Sequence, residues 1–153
     1  MSSETVYVLK DVEKNREIEN ERLTTQYGLL KARLGRSSPV PPEIDLSSVK
    51  RILDVAAGNC VWILDVANQD EIKRSVRNYT STSTLGDSNI NINRERHDVE
   101  LYACDIDLGK FPQKEVTDIH GIKTFTHDLT KPFPDNMKEK FDLIHMSAHV
   151  GAL

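Results

Sequence analysis

Residues 51–67, Arg-Ile-Leu-Asp-Val-Ala-Ala-Gly-Asn-Cys-Val-Trp-Ile-Leu-Asp-Val-Ala, constrain the fold of this chain more than any other stretch. Ile52, Leu53 and Val55 form a short apolar run, the pattern of a parallel strand covered on both faces. Ala56, Ala57 and Gly58 carry almost no side chain, so a ligand can approach the backbone there. Val61, Leu64 and Ala67 then recur at helical spacing, with Trp62 and Ile63 widening the apolar surface. The pattern predicts strand, tight turn and helix, and the helix start offers free N–H groups to a polar ligand. Asp54 is expected to close the strand, where an open α/β sheet places its binding residues.

Around this stretch the chain alternates between helical and strand-like segments. Glu13 to Leu34 is charged, with apolar positions at Ile18, Leu23, Tyr27, Leu30 and Leu34, and predicts one helix or two short ones stopped near Gly35. Pro39, Pro41 and Pro42 exclude helix from the following linker. Val99 to Cys104 predicts a second strand running into Asp105-Ile-Asp107, and a short helix is expected between Phe111 and His120. Ile122 to Thr126 alternates as a third strand and leads into His127-Asp128, and Phe141 to Met146 predicts a fourth. Gln69 to Asp98 is rich in Asn, Ser, Thr and Arg and has no sustained period, so most of it is expected to be an exposed loop insertion. The expected organisation is a helical cap over 1–36, a linker over 37–49 and a sheet domain over 50–153. Strands joined by crossovers imply a parallel α/β sheet.

Composition narrows the function classes. The net charge is −4, which supplies no basic field for nucleic acid or anionic lipid. No apolar run approaches the roughly 20 residues of a membrane span. Met1 to Leu9 lacks the basic and apolar regions of a signal peptide, so a soluble cytoplasmic protein is expected, with the nucleus as a second location. In that setting the sequon Asn78-Tyr-Thr80 carries no glycan. Cys60 and Cys104 lie in apolar contexts without zinc-type spacing and read as reduced core thiols. His145 and His149 stand four apart but follow a strand, so no metal site is expected. Trp62 reads as core, and the charged run Lys10 to Arg22 as a solvated helix face from which Arg22 is best placed to reach a ligand carboxylate. Ser147 has no partner that would make it a nucleophile.

The chemistry is expected at the strand ends. Asp54, Asp105 and Asp128 each fall at the end of a predicted strand, and in a parallel sheet these ends line one crevice. Carboxylates there accept hydrogen bonds from ribose hydroxyls or a cofactor amine, although an Asp after a strand also serves as a turn former or helix cap.

The order of these motifs resembles a class I S-adenosylmethionine (SAM)-dependent methyltransferase, of the type found in fungal secondary metabolism. Ile52 to Trp62 resembles the family's first motif, Tyr102 to Pro112 its second, Thr126 to Pro134 the segment that meets adenine, and Lys140 to Met146 its fourth strand. Tyr7-Val-Leu, Glu21-Arg-Leu and Gln26 resemble its capping helices. The resemblance implies a Rossmann-like sheet in the order 3-2-1-4 with an N-terminal helix. It implies SAM as cofactor, with Gly58 and the backbone at Ala56 under the methionine and Asp54 orienting that turn or the amino group. Asp105 would bind the ribose hydroxyls, with Asp107 as competitor, while Asp128 would hold the adenine amine with Leu129 against the ring. His145 and Met146 would lie nearest the sulfonium, and His145 or His149 is a candidate general base for the acceptor.

The family's turn commonly carries three glycines; here Ala56 and Cys60 flank Gly58. Asp105 follows Asp54 by 51 positions, against about 20 in such folds. The family's seven strands are expected to be incomplete here, leaving the fourth strand as an edge for a second copy or another subunit to cover. The expected activity is methyl transfer to a small-molecule acceptor in secondary-metabolite biosynthesis. The alternative is a non-catalytic, methyltransferase-like partner or regulatory subunit, or a degenerate fragment. A dinucleotide-dependent dehydrogenase fits the glycine pattern less well and leaves Asp128 without a role.

Overall fold

The computed structural model describes residues 12–77 and 99–146. Four strands, β1 (Arg51–Val55), β2 (Glu100–Asp105), β3 (Ile122–Thr126) and β4 (Leu143–Met146), form one sheet in the order β3-β2-β1-β4. Every pairing is parallel, so the α/β architecture, the strand order and the N-terminal helix follow the sequence expectation. In the register of β1, Asp54 stands opposite Ala103 of β2 on one side and His145 of β4 on the other. Asp142 strengthens the start of β1, its carboxylate accepting the N–H groups of Lys50 and Arg51 at 2.9 Å each.

The helices are α1 (Val12–Arg33), α2 (Val61–Ala67), α3 (Asp70–Arg77) and α4 (Lys114–Ile119). The N-terminal segment is a single helix, and its stop is chemically explicit. Gly35 takes φ +63°, its N–H reaches the Ala32 carbonyl and the Arg36 N–H reaches that of Lys31, both at 3.0 Å. That double closure of a helix end needs a left-handed residue, which glycine adopts without a Cβ clash.

The sheet's two faces are unequally covered. Ile52, Leu101, Ala103 and Ile122 point into the main core, where α2, α3 and the linker supply Ile63, Val66, Ile72, Leu46 and Val40. Each such fully buried aliphatic side chain contributes about 1.5–3 kcal/mol. The opposite face holds Leu53, Val55 and Cys104 under the half-buried rings of Tyr102, Phe125, Phe133 and Phe141.

Two sequence expectations change. The stretch expected as loop from Gln69 begins with helix α3, whose Ile72 is fully buried; residues 78–98 and the sequon lie outside the described residues. Asp54 does not close its strand: β1 continues through Val55, and Asp54 is a buried interior residue. No described helix is long and apolar enough to cross a membrane.

Candidate functional site

The turn after β1 is built on left-handed backbone. Ala56, Gly58 and Cys60 have φ of 54°, 57° and 62°. An L-residue there costs about 1–2 kcal/mol, so the conformation asks for glycine at all three positions and receives it at one. Strain of this kind persists only where its surroundings hold it. Here the Ala57 N–H donates to the Cys104 carbonyl at 3.0 Å and the Cys60 N–H to the Ala57 carbonyl at 2.8 Å. The Gly58 N–H donates to Oδ2 of Asp105 at 2.9 Å. Asp105, the last residue of β2, thus braces the turn that follows β1.

The strand ends divide into a covered half and an open half. Over β1 and β4, helix α1 and the linker enclose a cavity of about 440 Å³. Its walls are mainly apolar, with Leu23, Leu30, Val40, Ile44 and Leu143. Asp54, Asn59 and His145 bring polar groups from the sheet side, and Tyr27, Lys31 and Arg36 from the side of α1 and the linker. Asp54 is only 2% exposed, and its Oδ1 lies 2.8 Å from Nδ1 of His145. It also accepts the backbone N–H of Ile63 in α2. Burial lifts the Asp54 carboxyl above the ordinary carboxylate range, and the His145 hydrogen bond pulls against that. The His145 ring stacks on Trp62 with centroids 3.9 Å apart and planes 7° from parallel. Trp62 is fixed in turn by its indole N–H on the Pro39 carbonyl at 2.9 Å.

Helix α1 is attached to this half by polar contacts more than by apolar burial. Asn59 donates to the Asn20 carbonyl and the Thr24 hydroxyl at 3.1 and 3.0 Å. The Tyr27 hydroxyl and the Lys31 ammonium both donate to Oδ2 of Asp65 at 2.6 Å. Burial and that carboxylate raise the Tyr27 phenol, keeping it protonated. Of the apolar positions noted in this helix, Leu23 is buried, while Ile18, Leu30 and Leu34 are exposed. Arg22 is committed to Glu19 through two 2.7 Å hydrogen bonds and does not stand ready for a ligand.

In the open half, over β2 and β3, the acids are half-buried or exposed. Asp107 caps a short 3-10 turn (Leu108–Lys110) by accepting the Gly109 N–H at 2.8 Å. Asp128 lies two residues past the end of β3, and its Oδ1 accepts both the N–H and the hydroxyl of Thr130. Those two donors hold its carboxyl below the ordinary range. Its Oδ2 accepts no hydrogen bond among the described residues. Leu129 is exposed beside it, and His127 stacks on Phe133 at 3.8 Å.

The seven residues expected at the site therefore do not form one cluster. Asp54, Ala56 and His145 line the covered cavity. Gly58 and Asp105 form the bridge between halves, and Asp128 and Leu129 belong to the open side. Met146 is 62% exposed, and His149 and Ser147 lie outside the described residues. The sequence reading missed the Asp54–His145 pair and the Tyr27–Lys31–Asp65 cluster as contacts. Cys60 and Cys104 are buried and free, as their contexts implied. Burial pushes the Cys104 thiol up to about 11 and the Cys60 thiol higher still, so neither is a nucleophile at neutral pH. Among the described residues, no group of three His, Cys, Asp or Glu side chains could hold a metal ion. No protein-family model matches this chain, and no curated protein matches it.

Proposed function

We propose that this protein binds S-adenosylmethionine in the manner of a class I methyltransferase and acts on a small-molecule acceptor, in keeping with the secondary-metabolism resemblance. The reading is carried by one observation: the Gly58 amide of the left-handed turn after β1 is bonded to Asp105 at the end of β2, in a parallel sheet ordered 3-2-1-4. That joins a small-residue turn and an acid on neighbouring strand ends, where open α/β sheets bind ligands.

The residues present fit the cofactor. Asp105 accepts the Gly58 N–H on one oxygen and the Asp107 N–H on the other. A carboxylate has about four acceptor sites, so two remain for ribose hydroxyls. Oδ2 of Asp128 is open to an adenine amine, and Leu129 offers an exposed apolar surface for the ring. When bound, the cofactor would contribute an electrophilic methyl group. The chain's own residues position the two reactants and, through the apolar cavity walls, keep water away.

Calorimetric titration of the full chain with SAM tests the reading. Wild-type protein binds, and Asp105→Asn, which keeps an acceptor for Gly58, weakens binding by about 10–100-fold. Absence of binding by the wild type overturns the reading.

A second reading, a methyltransferase-like partner subunit, has its own observation. On β4, Ile144 and Met146 are 59% and 62% exposed, and among the described strands β4 pairs with β1 alone. An apolar strand edge is a template for another chain. A concentration-independent monomer in sedimentation removes the self-association form of this reading.

A further inference from the structure

We propose that His145, held by Asp54, is the proton acceptor for a hydroxyl-bearing apolar ligand seated in the cavity beneath α1. Nδ1 of His145 is committed to Oδ1 of Asp54 at 2.8 Å. The parallel register sets this pair, since Asp54 and His145 are direct neighbours across β1 and β4. With Nδ1–H donating to the carboxylate, the lone pair of the neutral ring resides on Nε2. Nε2 makes no hydrogen bond among the described residues, the side chain is 29% exposed, and the residue lines the cavity. The Trp62 stack fixes the ring plane. A nucleophile's base needs this arrangement of a reachable nitrogen and an orienting third group.

The other ionisable groups around the cavity are otherwise engaged. Tyr27 and Lys31 of α1 are bonded to Asp65 of α2. Asp105 acts on Asp54 through its charge, and Cys60 is a buried thiol. Arg36 also lines the cavity and is a cation, unable to accept a proton. The apolar walls select a ligand that is largely hydrocarbon, and the dyad selects one with an ionisable hydroxyl, such as a phenol.

The step is a proton transfer. The ligand O–H bond breaks, its electron pair stays on oxygen, and an N–H bond forms on Nε2. The resulting imidazolium is stabilised by the Asp54 carboxylate. For the fate of the activated oxygen the inference rests on the methyl-transfer reading; the proton transfer stands without it.

The probe is 4-nitrophenol, whose ionised form absorbs visible light, titrated against the full chain without cofactor. Bound probe ionises about one pH unit lower than free probe, because a cation forms within contact of its oxygen. His145→Gln retains a donor to Asp54, and circular dichroism checks its fold; there the shift disappears. A shift retained in His145→Gln assigns the effect to Lys31 or Arg36 and overturns the proposal. Absence of saturable binding, or binding without a shift in the wild type, overturns it as well; if His145→Gln does not fold, Lys31→Met and Arg36→Met take its place, and loss of the shift in either overturns the proposal. SAM calorimetry separates the two readings. A phenol shift without SAM binding keeps the dyad and removes methyl transfer; SAM binding without a shift does the reverse.

Discussion

Asp54 and Asp128 are the same residue type placed near the ends of β1 and β3, parallel strands that β2 separates, yet the fold treats them in opposite ways. Asp54 is enclosed, paired with an imidazole and shifted up by burial. Asp128 sits in the open half, accepts two hydrogen bonds from Thr130 and is shifted down by them. The difference teaches that the covered half is organised by packing and the open half by local turn chemistry. In the covered half Asp54, Tyr27, Lys31 and Asp65 are bonded to other side chains, and Nε2 of His145 is left open. The open half presents acceptors that remain available.

The contrast makes ordered predictions. Trp62→Ala should have the largest effect. It removes a buried core ring, the stack on His145 and the bond to Pro39, and should cost about 3–5 kcal/mol in urea denaturation. Phe133→Ala, the corresponding ring under His127 in the open half, should cost roughly half of that or less, since it is only partly buried. Equal costs would erase the distinction between halves.

Next, Tyr27→Phe should destabilise by about 1.5–3 kcal/mol, the value of a hydrogen bond to a charged group. It should also speed amide hydrogen exchange within α1 while leaving β1 protected. Unchanged exchange in α1 would mean that Asp65 does not hold the helix to the cavity.

The third prediction concerns pH and has a defined sign. A carboxyl raised in the fold stabilises below its unfolded pKa, and the contribution is lost as pH rises through the folded value. A lowered carboxyl stabilises above its unfolded pKa, and the contribution is lost as pH falls through the folded value. Asp54→Asn should therefore gain stability relative to wild type as pH rises from about 4 toward neutrality. Asp128→Asn should gain relative to wild type as pH falls below about 4. Denaturation series of the two variants with the same sign of slope would sink the comparison.

The smallest effect is expected in the turn that joins the halves. Ala56→Gly should stabilise by about 0.5–1 kcal/mol, because relief of a left-handed alanine outweighs the added chain entropy. Thermal denaturation resolves it, and a loss of stability would show that the Ala56 methyl packs usefully.

Much of the scaffold was legible in the sequence because its signals are local. Apolar runs ending near Asp54, Asp105, Asp128 and Met146 gave the strands, and Gly35 gave the helix stop. Helix α3 was not legible. It is mostly polar, and its buried Ile72 stands in a stretch without an apolar period. The docking of α1 was not legible for a related reason: it depends on Asn59 and Asp65, which belong to distant elements. The site was legible in its residue types and not in its grouping. Asp54 and His145 are separated by 91 residues, and only the register of β4 against β1 brings them together. An acid flanked by Leu53 and Val55 in an apolar run was the available clue that it needed a partner.

The stack of Trp62 on His145 has an optical consequence. Trp62 is the only tryptophan in the chain. All indole emission from this protein therefore originates against one imidazole ring, at the wall of the cavity. Protonating that ring, filling the space beside it or lifting α1 away would each alter the light leaving a single residue. The molecule carries its own probe at the wall of the covered cavity.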